Sequence, residues 1–340
     1  MKYPEFLKEG QTIGFAAPSY GASTEPYYSA FRHAAEKLRT LGYRTVLGPN
    51  VYASSGTGIS ASPASWGKEL ESLYLSPGNQ ALISVGGGEL MCEILDYIDF
   101  EKIQNAKPKW YMGYSDNTNF TFLLATLADT AAIYGPCASD FGTEPWHESV
   151  SDAFRLLTGR KLTVHGYERY ERIHLRDALH PYAPVNPTEP TRVVSRNWDK
   201  APVSGRLLGG CMDILVTLLG TKFDRVQAFT EKYREDGILW FLEACDLSVY
   251  GIRRAMWQMA HAGWFRYVKA FIIGRPLNGD AAWDLDRFDA VMAAAGEYQV
   301  PVIMDCDIGH VAPMMPVISG SFATVRPYGE TNIEIEYQFI

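Results

Sequence analysis

The sequence predicts an α/β protein of two domains: an N-terminal Rossmann-like parallel sheet flanked by helices, and a C-terminal α/β domain with a terminal β-hairpin. Three observations predict it. Short apolar runs each end in a glycine-rich or polar turn and lead into helix-length periodic segments, the rhythm of βαβ units. A charged, proline-rich stretch interrupts that rhythm once, and it then resumes. The chain, at 340 residues, also exceeds the length over which a single core keeps growing.

Residues 1–165 carry the first series. Its strand candidates are "TIGFAAPSYG", "YRTVLGP", "ALISVGGG", "WYMGYSD" and "AIYGPCASDFG". Between them, "YYSAFRHAAEKLRTLG" and "GELMCEILDYI" repeat apolar residues at three- and four-residue spacing and are expected to be helices. Residues 166–200 lack any sustained period and are expected to form a linker or crossing segment. Residues 201–340 resume with "GILWFLEACD", "VKAFIIGRP" and "VPVIMDCDIGH", with helices expected at about 249–263 and 284–297. The end, "FATVRPYGETNIEIEYQF", alternates around "YGETN" as a hairpin does.

Composition narrows the function. A net charge of -8 argues against a phosphate-tracking surface, so nucleic acid is not an expected partner. No window approaches the ~18 apolar residues of a membrane span, and "MKYPEFLKEGQTIGF" lacks the apolar core and cleavage site of a secretory signal. Cys92, Cys137, Cys211, Cys245 and Cys306 are odd in number and contain no C-x-x-C pair. They read as reduced thiols of a cytoplasmic protein.

Ligands of wound α/β sheets collect beyond the carboxyl ends of the strands, so polar residues that end apolar runs are the candidates for chemistry. Ser115, in "WYMGYSDNTNF", falls on a strand-to-helix turn, the place of a nucleophile elbow whose next N–H can face an oxyanion. The second glycine of that motif is missing, and Ser115, Asp116 or Asn117 equally suits a helix N-cap. Gly86, Gly87 and Gly88 let a backbone approach a ligand closely. They make a poor dinucleotide fingerprint, because Met91 stands where its third glycine belongs. Glu243 ends "ILWFLE" and must reach solvent or a partner, a salt bridge or an oriented histidine; Asp246 competes for that role. Asp305, Asp307 and His310 lie at another strand end, where the histidine suits a general base or an ordinary loop. The spacing of a metal site is lacking there, since no second histidine is near. His33, His147, His165, His174, His180 and His261 have no comparable setting.

Ser115, Glu243 and His310 fit one mechanism, a triad in the chain order serine, acid, histidine. "GYSD", "GRLLGGCMDILVTLLGT", "LWFLEACD" and "DIGH", in this order, resemble the serine-peptidase family that contains murein LD-carboxypeptidases and microcin C immunity proteins. The resemblance implies Ser115 as nucleophile, His310 as general base and acid, and Glu243 as its orienting partner. It implies an oxyanion hole from the backbone N–H groups of Gly87 and Asp116, no metal or organic cofactor, a cytoplasmic location and a homodimer. Val85 and Gly88 stand where murein-recycling members often carry arginine and tyrosine, which resembles the microcin-immunity branch. In that branch an aromatic residue stacks on a base, and Trp198 is its expected counterpart here, or else a packing residue.

The leading expectation is removal of D-alanine from a murein tetrapeptide at an L,D bond; the second is cleavage of aminoacyl-nucleotide conjugates. A third, from another class, is a non-catalytic small-ligand-binding protein in which Ser115 only caps a helix. Arg206, Arg253 and Arg254 flank the matched blocks and are candidates for the substrate carboxylate, with Arg253 taken as a substrate-binding residue alongside Gly86, Gly88 and Trp198.

Overall fold

The computed structural model describes residues 1–56 and 58–340. Five strands form in the first half: β1 (Thr12–Ala16), β2 (Arg44–Leu47), β3 (Ala81–Ser84), β4 (Trp110–Gly113) and β5 (Ala132–Tyr134). Helices α1 (Tyr27–Thr40), α2 (Pro63–Leu75), α3 (Phe100–Asn105) and α4 (Thr118–Thr126) return the chain between them, and α5 (Glu148–Leu157) follows. Strands β1, β3, β4 and β5 are buried along their whole length, as their unbroken apolar runs require when both faces are covered. Helix α1 turns Ala30, Phe31, Ala34, Ala35 and Leu38 inward at helical spacing. Helix α2 starts where Ser62 accepts from Ser65 N–H and Pro63 fills the first turn.

The second half contains β6 (Thr163–His165), β7 (Arg169–Tyr170), β8 (Glu189–Pro190), β9 (Val194–Arg196), β10 (Val203–Cys211), β11 (Ile238–Glu243), β12 (Val268–Gly274), β13 (Val302–Cys306), β14 (Val317–Ser319), β15 (Phe322–Tyr328) and β16 (Asn332–Gln338). Its helices are α6 (Met212–Leu218), α7 (Val226–Lys232), α8 (Val249–His261) and α9 (Arg287–Ala295). The first sheet has the order β14-β5-β4-β3-β1-β2 and the second β6-β16-β15-β10-β11-β12-β13-β9. Strands β1 to β5 are mutually parallel, with β14 antiparallel at one edge. Strands β10 to β13 are parallel and are flanked by antiparallel neighbours, among them the hairpin β15–β16.

Two short strands cross the divisions expected at residues 165 and 201. β6 pairs with β16 in the second sheet, and β14 pairs with β5 in the first. The stretch 166–200 is more than a linker, since it pairs β7 with β8 and lays β9 against β13. Residues 91–97, expected as an α-helix, form a 3-10 helix instead. Its first N–H, from Met91, donates to the Asp116 carboxylate, and the segment presses on α2 at Gly67, where a Cβ would lie 2.6 Å from Tyr97 Cβ. One apolar cluster contains Phe15 and Met112 of the first sheet with Leu207 and Phe241 of the second, so the sheets share a core.

Candidate active site

The carboxyl ends of β3, β4, β11 and β13 deliver the groups that the sequence singled out. Ser115 follows β4 with φ +63°, a left-handed conformation that a residue with a Cβ adopts only when its surroundings hold it there. Its N–H donates to the Tyr134 hydroxyl at 3.1 Å. Ser115 Oγ lies 2.8 Å from His310 Nε2, and His310 Nδ1 lies 2.9 Å from Glu243 Oε2. Glu243 is fully buried, and its Oε1 accepts from Tyr134 O–H at 2.5 Å. When the ring is neutral, a proton on Nδ1 faces the Glu243 carboxylate and the Nε2 lone pair turns to Ser115.

Glycines make this approach possible. A Cβ on Gly309 would lie 2.4 Å from Glu243 Oε2, and Gly309 has φ +100°, so "DIGH" passes over the carboxylate only with glycine before the histidine. Burial works against protonating His310. The Glu243 charge, helped by Cys245, outweighs it and holds the imidazole well above its ordinary range.

The glycine turn lies against the serine. A Cβ on Gly87 would stand 3.3 Å from Ser115 Cβ and 3.4 Å from its Oγ. On Gly88, with φ +156°, a Cβ would meet Ser19 Oγ at 2.2 Å, so this position needs glycine on both counts. Gly86 O accepts from Ser84 Oγ at 2.8 Å and from Asn117 Nδ2 at 3.1 Å. Asp116 turns its carboxylate away from the reaction centre, accepting from Ser19 Oγ at 2.5 Å, Met91 N–H at 2.9 Å and Asn119 Nδ2 at 3.0 Å. Burial pushes that carboxyl up to about 6. The first backbone hydrogen bond of the following turn runs from Asn117 N–H to Tyr114 O.

Helix capping does not account for these residues. No side chain of Ser115, Asp116 or Asn117 caps the start of α4. Asn117 occupies the place of the elbow's second glycine, and its amide packs on Gly113, where a Cβ would come within 2.7 Å of Asn117 Cγ.

Other candidates lie elsewhere. Trp198 is half-buried, donates Nε1–H to Ala201 O at 2.8 Å and packs on the core rather than in the cavity beside His310. Arg253 borders a separate surface hollow with Tyr250 and Asp289, and exposed Arg254 does not line the cavity either. Arg206 is spent on Asp236, Tyr3 and the Gly320 carbonyl. Asp246 is exposed, and its N–H donates to Asp213. Asp305 pairs with Arg287, and Asp307 with Arg275 at 3.0 Å, so both acids are held by cations.

The cavity beside His310 encloses ≈ 760 Å³. Its wall contains Arg172, Arg176, Arg275 and Arg287; Asp140 pairs with Arg176, while exposed Arg172 has no ion-pair partner among the described residues. Residues of the 166–200 stretch, including Tyr170 and Glu171, form part of this wall. Cys211, Glu243 and His310 offer ligand atoms within 4.8 Å of one another. Both ring nitrogens and both carboxylate oxygens already have protein partners, so a cation there would have to displace them.

Tyr134, which bridges Ser115 N–H and Glu243 Oε1, is a residue of this site that sequence reasoning missed. It ends the apolar run "AIY" just as Glu243 ends its own, and the criterion that selected Glu243 selects it too. Ser84 ends "ALIS" and meets the criterion as well, while Asn117 was considered only as a helix cap; what both side chains bond, the Gly86 carbonyl, is not located by the sequence.

Residues 13–135 match the LD-carboxypeptidase N-terminal domain, and residues 204–325 match the LD-carboxypeptidase C-terminal domain. The chain belongs to the LD-carboxypeptidase family. It is a serine-peptidase-like hydrolase of that family with the two-part α/β fold expected. A Vibrio cholerae protein named as a carboxypeptidase is 26% identical over 339 residues, spanning 96% of this chain and 95% of its own. A Bacillus subtilis protein named as a murein peptide carboxypeptidase is 22% identical over 337 residues, spanning 97% and 93%. Among solved structures, an MccF-like protein from Bacillus anthracis superposes with a TM-score of 0.83 at 22% identity, over 99% of this chain and 100% of its own. The microcin self-immunity protein MccF, in complex with glutamyl sulfamoyl guanosine, superposes with a TM-score of 0.81 at 21% identity, over 99% of each chain.

Proposed function

We propose that this protein is a serine carboxypeptidase that hydrolyses an L,D-peptide bond, releasing terminal D-alanine from a murein tetrapeptide. The observation that carries the reading is the unbroken hydrogen-bonded chain from Ser115 through His310 to buried Glu243. Ser115 Oγ attacks the scissile carbonyl carbon while His310 Nε2 takes its proton. Glu243 stabilises the imidazolium through Nδ1–H, and the N–H groups of Gly87 and Asp116 meet the developing oxyanion. His310 then protonates the leaving amine, giving an acyl-enzyme; water, deprotonated by the same histidine, releases the peptide and restores Ser115. No step draws on a metal or organic cofactor. Exposed Arg172, which has no ion-pair partner among the described residues, suits a carboxylate of such a peptide, and the Bacillus subtilis relative's name supports a murein peptide as substrate.

A second reading keeps the site and changes the substrate to an aminoacyl-nucleotide conjugate. It is supported by the superposition on MccF bound to glutamyl sulfamoyl guanosine. Trp198 contributes nothing to it from its present position, so a base would have to stack elsewhere on the wall. A cytoplasmic location is our assignment on the family resemblance and on five free cysteines, and a homodimer on the resemblance alone.

The test is mass-spectrometric detection of D-alanine release from a murein tetrapeptide, run beside an aminoacyl sulfamoyl adenosine, with Ser115→Ala as control. D-alanine release that vanishes in the variant supports the leading reading. Turnover of the conjugate alone transfers the assignment to the second, and undiminished turnover by Ser115→Ala refutes both.

A further inference from the structure

We propose that Asn117 and Ser84 are positioning residues that hold the Gly86–Gly87 peptide in the one orientation that presents the Gly87 N–H to the reaction centre. The proposal rests on the acyl-transfer reading above and adds what sets its oxyanion hole.

Three consecutive glycines leave the local backbone without a preferred peptide orientation, because each populates both signs of φ readily. An N–H donor in such a turn stabilises an oxyanion only if its direction is fixed before the charge develops. In a trans peptide the N–H points opposite to the carbonyl of the preceding residue. Whatever holds Gly86 O therefore aims Gly87 N–H.

Two side chains hold it. Ser84 Oγ donates to Gly86 O at 2.8 Å and Asn117 Nδ2 donates to it at 3.1 Å. Ser84 and Asn117 are fully buried, so water does not replace either donor. The Asn117 amide is itself held: Tyr111 O–H donates to Oδ1, and Nδ2 also donates to Tyr114 O at 3.0 Å. That arrangement settles which end of the amide faces the glycine carbonyl. On the next peptide, Gly87 O accepts from Tyr20 N–H at 3.1 Å, so both planes flanking Gly87 are anchored. The site that a Cβ of Gly87 would occupy is 3.4 Å from Ser115 Oγ, which puts this peptide beside the nucleophile. Asn117 thus links the turn that carries the serine to the turn that carries the donor, and the missing second glycine of the elbow is the means.

The variants are Asn117→Asp, which keeps the shape and the Tyr111 contact but removes the donor, and Ser84→Ala, which removes the other. The probes are the murein tetrapeptide and a peptide boronic acid of matching sequence, whose tetrahedral adduct on Ser115 mimics the transition state. We expect kcat to fall about 100-fold in Asn117→Asp and about 10-fold in Ser84→Ala, with KM nearly unchanged and boronate affinity falling in step with kcat. A merely structural role would lower thermal stability and leave the ratio of boronate to substrate affinity at the wild-type value. That unchanged ratio, with Ser115→Ala inactive, overturns the proposal alone; an active Ser115→Ala overturns the reading beneath it. Should Asn117→Asp fail to fold, Ser84→Ala decides the matter by the same ratio.

Discussion

Replacing Tyr134 by phenylalanine removes one oxygen atom and two hydrogen bonds at once. The hydroxyl donates to Glu243 Oε1 at 2.5 Å and accepts from Ser115 N–H at 3.1 Å, in a side chain with no exposure. A hydrogen bond to a charged group contributes about 1.5–3 kcal/mol, and an unsatisfied buried amide costs about 1–3 kcal/mol. The two share one atom and do not add fully, so we expect a loss of about 2–4 kcal/mol in stability, read as the shift in urea midpoint. The rate carries a second signature. Burial disfavours the charged form of His310, but the Glu243 charge prevails and raises it well above its ordinary range. Without Tyr134 that charge has only the Nδ1–H to meet, so the imidazolium is favoured further. Since the base must be neutral to accept the serine proton, the acid limb of kcat/KM moves to higher pH in Tyr134→Phe. A variant with the wild-type limb and the wild-type urea midpoint would refute the reasoning.

Other outcomes follow from the same geometry. In the wild type the acid limb itself lies above the ordinary histidine range, and Glu243→Gln, which removes the charge that raises His310, moves it downward; a limb unmoved by that change would detach Glu243 from the base. Asp116 is raised from 3.8 to about 6 by burial, so its stabilisation is complete below the unfolded value and is lost as pH rises through about 6. Relative to Asp116→Asn, wild-type stability should therefore decline across that interval by about 3 kcal/mol, measurable by urea unfolding at several pH values. Gly87→Ala places a methyl 3.4 Å from Ser115 Oγ without a forbidden φ, and should lose about 100-fold or more in kcat/KM while unfolding near the wild-type temperature. Trp198→Ala should leave turnover of both candidate substrates unchanged, since the indole packs on the core and bonds Ala201 O.

Glu243 was legible because it ends an unbroken apolar run, and Ser115 and His310 because they stand in the turns just beyond two more; parallel strands deliver such ends to one side of a sheet. Tyr134 meets the same test, but a phenol is apolar over most of its surface and does not stand out from its run as a carboxylate does. Trp198 and Arg253 were chosen for standing near matched blocks along the chain. Proximity in sequence failed there: α8 turns Arg253 to a separate hollow, and Trp198 follows the strand that covers the edge of the second sheet. The strands β6 and β14 are three residues each, too short to show a period, which is why the exchange of strands across the expected divisions was invisible. The 166–200 stretch looked like a linker because its hydrogen bonds run to irregular partners, among them Glu171 to Asn186 N–H and Arg176 to Ser139 O.

The central claim is that Ser115 becomes acylated during turnover. Its most direct test is intact-protein mass spectrometry of enzyme quenched in acid while hydrolysing the murein tetrapeptide, with the adduct located by peptide mapping. The account predicts an added mass equal to the acyl part of the substrate, on Ser115 and absent from Ser115→Ala. An adduct on any other residue, or full turnover by Ser115→Ala without an adduct, would contradict it.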